Sequence, residues 1–195
     1  RFGQFSMQNR ATYSFELPPN YDLFSTLRFG RFGQADPTQR LSDKQFVKAT
    51  RYQGAACVIA ASRGDTHLAV DIESEGGVFS REQIFKFFGL HRLPLQVSGH
   101  RRLERYSRQH QGLHLGVSVS LGYDLVKTVF QQLIEWRDAA TIWRKWVRKT
   151  GTNVTEHGLI CPPSFDDMRR HHLDVLHGCG LSRKRAMLIR EVGRL

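Results

Sequence analysis

Gln131-Gln132-Leu133-Ile134-Glu135-Trp136-Arg137-Asp138-Ala139-Ala140 is the stretch whose reading decides the fold of this 195-residue chain. On its N-terminal side Leu125, Val126, Val129, Phe130 and Leu133 recur at the three- and four-residue spacing that lines one face of a helix. On its C-terminal side Ala139, Ile142, Trp143, Trp146 and Val147 do the same. The pattern lapses from Ile134 to Asp138, so two helices are expected to meet there at an elbow. Asp138 is the expected N-cap of the second, because a carboxylate can accept from the free amides of a first turn. Gly151 supplies the stop.

Downstream, Ser164-Phe165-Asp166-Asp167 after Pro162-Pro163 has capping-box form and opens a helix running to about His177. Gly178 and Gly180 end it, and Ser182 caps a last basic helix over 183–194. Upstream the texture differs. Residues 1–16 read as an irregular lead-in, 23–29 as a short helix, and Asp36-Pro37-Thr38 as a turn. Three segments, 45–52, 55–61 and 67–73, carry strand chemistry, with Phe46 and Lys48, then Leu68, Val70 and Ile72, in alternation. The links Gln53-Gly54 and 62–65 are short, which favours an antiparallel meander. Ser80-Arg81-Glu82-Gln83 is a second capping box, opening a helix through Phe88 that Gly89 closes and whose Ile84, Phe85, Phe87 and Phe88 are expected to pack on the sheet. Residues 91–111 are basic with little apolar pattern and read as a domain boundary or long connection.

The bulk properties narrow the class of partner. Twenty-nine Lys and Arg against 18 Asp and Glu leave a net charge of +11, a field that favours a polyanion. Cys57, Cys161 and Cys179 are too far apart for a CxxC pair and odd in number, so buried free thiols are expected rather than a disulfide, zinc or iron–sulfur framework. His171-His172 and Glu156-His157 have no second ligand set at metal spacing and read as surface residues. No cofactor and no metal is expected. No apolar run reaches membrane-span length and the first residues carry no signal-peptide core, so no membrane partner is expected. The expected setting is cytoplasmic (nucleoid-associated) or nuclear, not secreted. Because the chain begins at Arg1 instead of Met, it reads as a fragment, a processed chain or the product of an incomplete gene model.

Residues 131–140 resemble the Gly-Gln-(Gln/Leu)-aliphatic-Ser…Ala-Ala signature of helix-hairpin-helix DNA glycosylases. Three further features keep the family's order. Gly112-Leu113-His114-Leu115 is similar to the lead-in to the catalytic domain, 159–164 to the Phe-Pro-(Thr/Ser)-Pro stretch, and 180–186 to a Gly-hydrophobic-x-x-Lys/Arg-Ala stretch. Pro18-Pro19-Asn20-Tyr21-Asp22 resembles the opening of the 3-methyladenine (alkylated-base) branch. The resemblance covers most of residues 17–195. It implies an α+β fold: an N-terminal, TATA-binding-protein-like antiparallel sheet with helices over 17–111, then the first part of an all-helical glycosylase domain over 112–195.

The same resemblance implies roles. Gln132 and Leu133 fall where the family places an apolar wedge and its neighbouring amide, which fill the stack when a nucleotide is flipped out. A core leucine on an amphipathic helix is the other reading of Leu133. Phe29 falls where an aromatic wall of the base pocket stands, and Arg183, Lys184 and Arg185 suit phosphate contacts. The implied partner is double-stranded DNA with damaged bases, bound by a monomer.

Two positions depart from the pattern. Gln131 replaces the first glycine, and Glu135 replaces the serine that caps the second helix, which puts the elbow geometry in question. The phosphate-gripping hairpin and the essential Asp are expected downstream of Leu195, so no catalytic residue is assigned here. Asp166 and Asp167 lie in a helix first turn, where carboxylates complement the dipole; neither they nor Asp174 is promoted to that role. The implied function is removal of damaged, alkylated bases by hydrolysis of the N-glycosidic bond, with the chain alone inactive. A non-catalytic nucleic-acid-binding or regulatory module, and an 8-oxoguanine-type glycosylase/lyase, are the alternatives.

Overall fold

The structure is a computed structural model that describes residues 8–91, 98–154 and 157–194. Its sheet has five antiparallel strands in the order β1-β5-β4-β3-β2. These are β1 (Asn9–Glu16), β2 (Gln39–Leu41), β3 (Gln45–Tyr52), β4 (Ala55–Arg63) and β5 (His67–Ser74). On β5, Leu68, Val70 and Ile72 are buried while His67, Ala69 and Asp71 face solvent, the two-residue alternation of a half-buried strand. Strand β4 is buried on both faces. Cys57, Ile59 and Ala61 join the core under helices α1 (Leu23–Leu27) and α2 (Arg81–Phe87), whereas Ala56 and Val58 join a smaller core shared with a hairpin, β6 (Thr152–Val154) and β7 (Leu159–Cys161).

The edges of β3, β4 and β5 agree with the sequence reading within two residues, and the caps Ser80, Ser164 and Ser182 stand where expected. Ser80 and Gln83 make both bonds of the capping box at the start of α2, and Ile84 and Phe88 are buried against the sheet. All three cysteines are buried and free. The segment expected to be an irregular lead-in is instead the edge strand β1, paired with β5 from Asn9↔Ser74 to Glu16↔His67. Its polar Asn9, Arg10, Thr12 and Ser14 hide the pattern, since only one face is covered. The rest of that lead-in, residues 1–7, lies outside the described residues. Strand β2 and the β6–β7 hairpin also escaped the sequence reading, being three residues per strand. Helix α3 (Arg101–Gln109) lies in the stretch read as a connection.

Helices α4 (Leu121–Gln131), α5 (Trp136–Thr150), α6 (Phe165–Arg170), α7 (Leu173–Gly178) and α8 (Arg183–Val192) enclose the second core. Phe130, Trp143 and Trp146 lie at its centre with ring centroids 5.2–5.7 Å apart. The single helix expected over 164–177 is two, broken at His171-His172, where the His172 ring accepts from the Asp174 amide and restarts the chain as α7. Among the described residues no helix is long and apolar enough to cross a membrane.

The sheet side and the helical side are joined by Asp36, which is buried. Its carboxylate accepts from the Phe32 amide (2.8 Å), the Thr38 amide (3.0 Å) and hydroxyl (2.8 Å), and the Trp143 indole N–H (3.1 Å). Phe32 stacks on Trp143 at 5.4 Å, so the turn before β2 is plugged into the helical core. Arg51 of β3 donates to the Pro162 carbonyl at 2.7 Å and Tyr123 of α4 to the Pro163 carbonyl at 2.8 Å. These bonds seat the 159–164 segment on both sides of the seam.

Candidate nucleic-acid interface

The elbow between α4 and α5 is built from four residues. Helix α4 ends at Gln131, and Gln132 turns to an extended conformation (φ −61°, ψ 125°). Leu133 then takes a left-handed conformation, φ 57°, and is fully exposed. Ile134 drops back to pack on the helical core, and Glu135 starts α5 as its N-cap. Asp138 is therefore inside the first turn of α5 and not its cap, which corrects the sequence expectation. The Glu135 side chain makes no capping bond, so the first amides of α5 are left to solvent or a ligand.

This arrangement opposes the usual preferences of leucine. A left-handed backbone costs a residue with a Cβ about 1–2 kcal/mol, and leaving leucine in water forgoes about 1.5–3 kcal/mol of burial. What holds the strained residue is its neighbourhood: Phe130 and Ile134 are anchored in the core on either side, and Trp136, half exposed, lies against Gly33. Gly33 has φ +77°, and a Cβ there would stand 3.4 Å from the Trp136 ring.

A cavity of about 370 Å³ opens between the sheet and α4. Phe29, on the 3-10 turn Arg28–Gly30 that continues α1, forms part of its wall, exposed and with the Arg28 guanidinium 4.9 Å over its ring. The polar lining includes two lysines and a glutamine amide. Lys48 Nζ donates to Gln39 Oε1 at 3.2 Å, while Gln39 Nε2 is buried without a hydrogen-bond partner. Lys127 Nζ donates to the Gly30 carbonyl at 2.6 Å and lies over the rings of Phe32 and Trp143 at 5.8 and 5.6 Å. Burial, helped by the neighbouring Lys127 charge, pulls the Lys48 ammonium down to about 7; burial also holds Lys127 below the ordinary lysine range. Asp124, exposed in the first turn of α4, is the one carboxylate among the described lining residues.

The sequence-predicted residues are thus distributed over three places. Phe29 lines the cavity, and Gln132 and Leu133 tip the elbow just beyond Gln131, the last residue of α4, which lies about 6 Å along the helix axis from the cavity residue Lys127. Arg183, Lys184 and Arg185 on α8 line neither. Arg183 and Lys184 are exposed, but Arg185 is partly buried with Nη1 unpartnered, so it is less available to a phosphate than expected. Asp167 is held by Ser164 in the α6 capping box, Asp166 pairs with Arg169 at 3.0 Å, and Asp174 pairs with His172. His157, read as a surface residue, is partly buried and reaches Glu73 at 3.4 Å; Glu156 lies outside the described residues. Gln39, Lys48 and Lys127 were not singled out as site residues. The available signal was the lysine at an inward position of the alternating β3 strand.

No protein-family model and no curated protein matches the sequence. Solved structures do match the fold. One is a 3-methyladenine DNA glycosylase from Archaeoglobus fulgidus, at TM-score 0.70 and 20% identity over 94% of this chain and 67% of that one. A second is MBOgg1 in complex with a low-affinity DNA ligand, at TM-score 0.67 and 13% identity over 98% and 65%. A third is the 8-oxoguanine glycosylase/lyase of Clostridium acetobutylicum, in complex with double-stranded DNA containing cytosine opposite 8-oxoG, at TM-score 0.56 and 10% identity over 97% and 65%. The chain spans about two thirds of the length of these proteins. Its α+β fold is the fold of these DNA glycosylases.

Proposed function

We propose that this chain is the base-flipping scaffold of a DNA-repair glycosylase, which extrudes a damaged base from the duplex for hydrolysis of its N-glycosidic bond. The observation that carries the reading is Leu133: a strained, fully exposed leucine at the tip of an elbow on a strongly basic protein. Backbone strain of this kind persists where the surroundings enforce it, and it concentrates at functional sites. In duplex DNA the side chain fills the gap left by the flipped nucleotide, and Gln132 offers an amide to the exposed base edge. Phe29 receives the base by stacking in the cavity, while Arg183 and Lys184 contact phosphates.

The carboxylate that would stabilise an oxocarbenium-like centre is assigned to no residue of this chain. The 195-residue chain therefore binds and flips without excising. Binding to duplexes with and without an abasic-site analogue tests the reading. Wild type should prefer the abasic duplex and Leu133→Ala should lose the preference; equal binding of both duplexes by wild type contradicts it. Base release by this chain would instead move the chemistry to Asp124, and Asp124→Asn would then abolish it.

A second reading concerns the base. Alkylation at a purine ring nitrogen makes the base cationic, and two lysines beside the cavity oppose a cation. The unpartnered Gln39 amide and the lysine donors favour a neutral, carbonyl-bearing oxidised purine. Tighter binding of a duplex with 8-oxoguanine than of one with 7-methylguanine supports this reading; the reverse order supports the alkylated base.

A further inference from the structure

Helix α3 contributes nothing to the cores: none of its nine residues is buried. Its exposed positions include Arg102, Arg105, Tyr106 and Gln109. Their spacing of three, four and seven residues places them in one stripe along the helix. Glu104 and Ser107, which are partly buried, mark the opposite side. The Glu104 carboxylate is engaged there, accepting from the Gly99 amide at 3.0 Å. The helix thus keeps its only acid on the side away from that stripe, which presents two guanidinium groups, a phenol and an amide. Arg101 and Arg108, also exposed, add to the same field.

The helix is tied to the cavity through a short path. Beyond its C-cap His110, the Gly112 carbonyl accepts from the Asp22 amide at 2.8 Å, at the N-cap of α1. The fit is close enough that a Cβ on Gly112 would stand 1.9 Å from the Asn20 carbonyl oxygen. From Asp22, α1 and the following 3-10 turn lead to Phe29 in at most about 12 Å, less than half a turn of duplex.

We infer that α3 is a second duplex-docking element, with Arg102 and Arg105 contacting phosphates that flank the site of base extrusion. The inference rests on the duplex-binding reading above. Guanidinium, phenol and amide groups all contact phosphates, and such contacts carry no sequence information of their own. A membrane surface fits less well, because Leu103 and Tyr106 alone give the helix no broad apolar face to bury.

The test is the salt dependence of duplex binding by this chain between 50 and 200 mM salt. Each phosphate contact contributes about 0.9 to the slope of log affinity against log salt. The double variant Arg102→Gln/Arg105→Gln should lower the slope by nearly two, equally for abasic and undamaged duplexes. Wild type would then lose about tenfold more affinity than the variant across that range. Arg102→Lys/Arg105→Lys should keep the slope, because the charges remain. An unchanged slope in the Gln variant, with wild type binding normally, overturns the inference and leaves the duplex-binding reading standing. So does a variant that loses only binding to phosphatidylserine vesicles or to polyglutamate. Failure of wild type to bind any duplex overturns both.

Discussion

Two turns of this molecule resolve the same problem in opposite ways. The turn around Asp36 is buried, and every bond it makes is directed inward, to Phe32, Thr38 and Trp143. The elbow at Gln132–Glu135 is exposed, uncapped and strained at Leu133. One joins the two halves of the fold; the other forgoes burial, capping and a relaxed backbone. The difference teaches that the elbow's shape is not explained by its own stability, which is the ground on which the proposed function assigns it to a duplex partner.

Substitutions at the two turns should differ in sign. Asp36→Ala leaves the Trp143 indole, two amides and a hydroxyl without an acceptor in the interior, and should destabilise by about 3–5 kcal/mol, read from urea denaturation. A smaller effect at the elbow would sharpen the contrast, and an equal one would break it.

Lys48, whose ammonium is drawn into the cavity beside the Asp36 turn, comes next. Its folded-state value near 7 is below that of the unfolded chain, so the unfolded state holds more protons between about pH 7 and pH 10. Stability should therefore rise with pH across that window. Lys48→Met should be more stable than wild type at pH 7 and lack the Lys48 part of the rise, as measured by denaturation at pH 7 and 9.5.

At the elbow the effects are smaller and favourable to stability. Leu133→Gly removes the Cβ strain and should stabilise by up to about 1 kcal/mol, visible as a higher denaturation midpoint. Glu135→Ser should supply the missing cap and gain about 0.5–1 kcal/mol, while also removing a negative charge from the elbow. A loss of stability in both variants would return the elbow to the class of ordinary structural turns.

Much of this was legible in the sequence, for identifiable reasons. Leu68, Val70 and Ile72 announced β5 because only one face of that strand is covered, and Ser80 with Gln83 announced α2 because a capping box is a local device. The elbow was legible as a lapse in helical spacing, but its cap was misplaced. Asp138 is the better capping residue by type, yet Ile134 reaches the core and the cap falls three residues earlier, at Glu135. The cavity was legible only in part, through Phe29 and the inward position of Lys48 on β3. Gln39, Lys48 and Lys127 come from three elements, and only the packing enforced by Asp36 brings them together. Strand β1 and the β6–β7 hairpin draw their definition from long-range pairing that local patterns do not encode.

The central claim is that Leu133 enters the duplex. It is tested most directly with 2-aminopurine placed opposite an abasic-site analogue, a probe whose fluorescence rises when its stacking is disturbed. Saturating wild type should raise the signal, and Leu133→Ala, at a concentration where it is equally bound, should leave it near the free-duplex level. An equal rise with Leu133→Ala would show that the elbow does not insert its leucine, and would contradict the account.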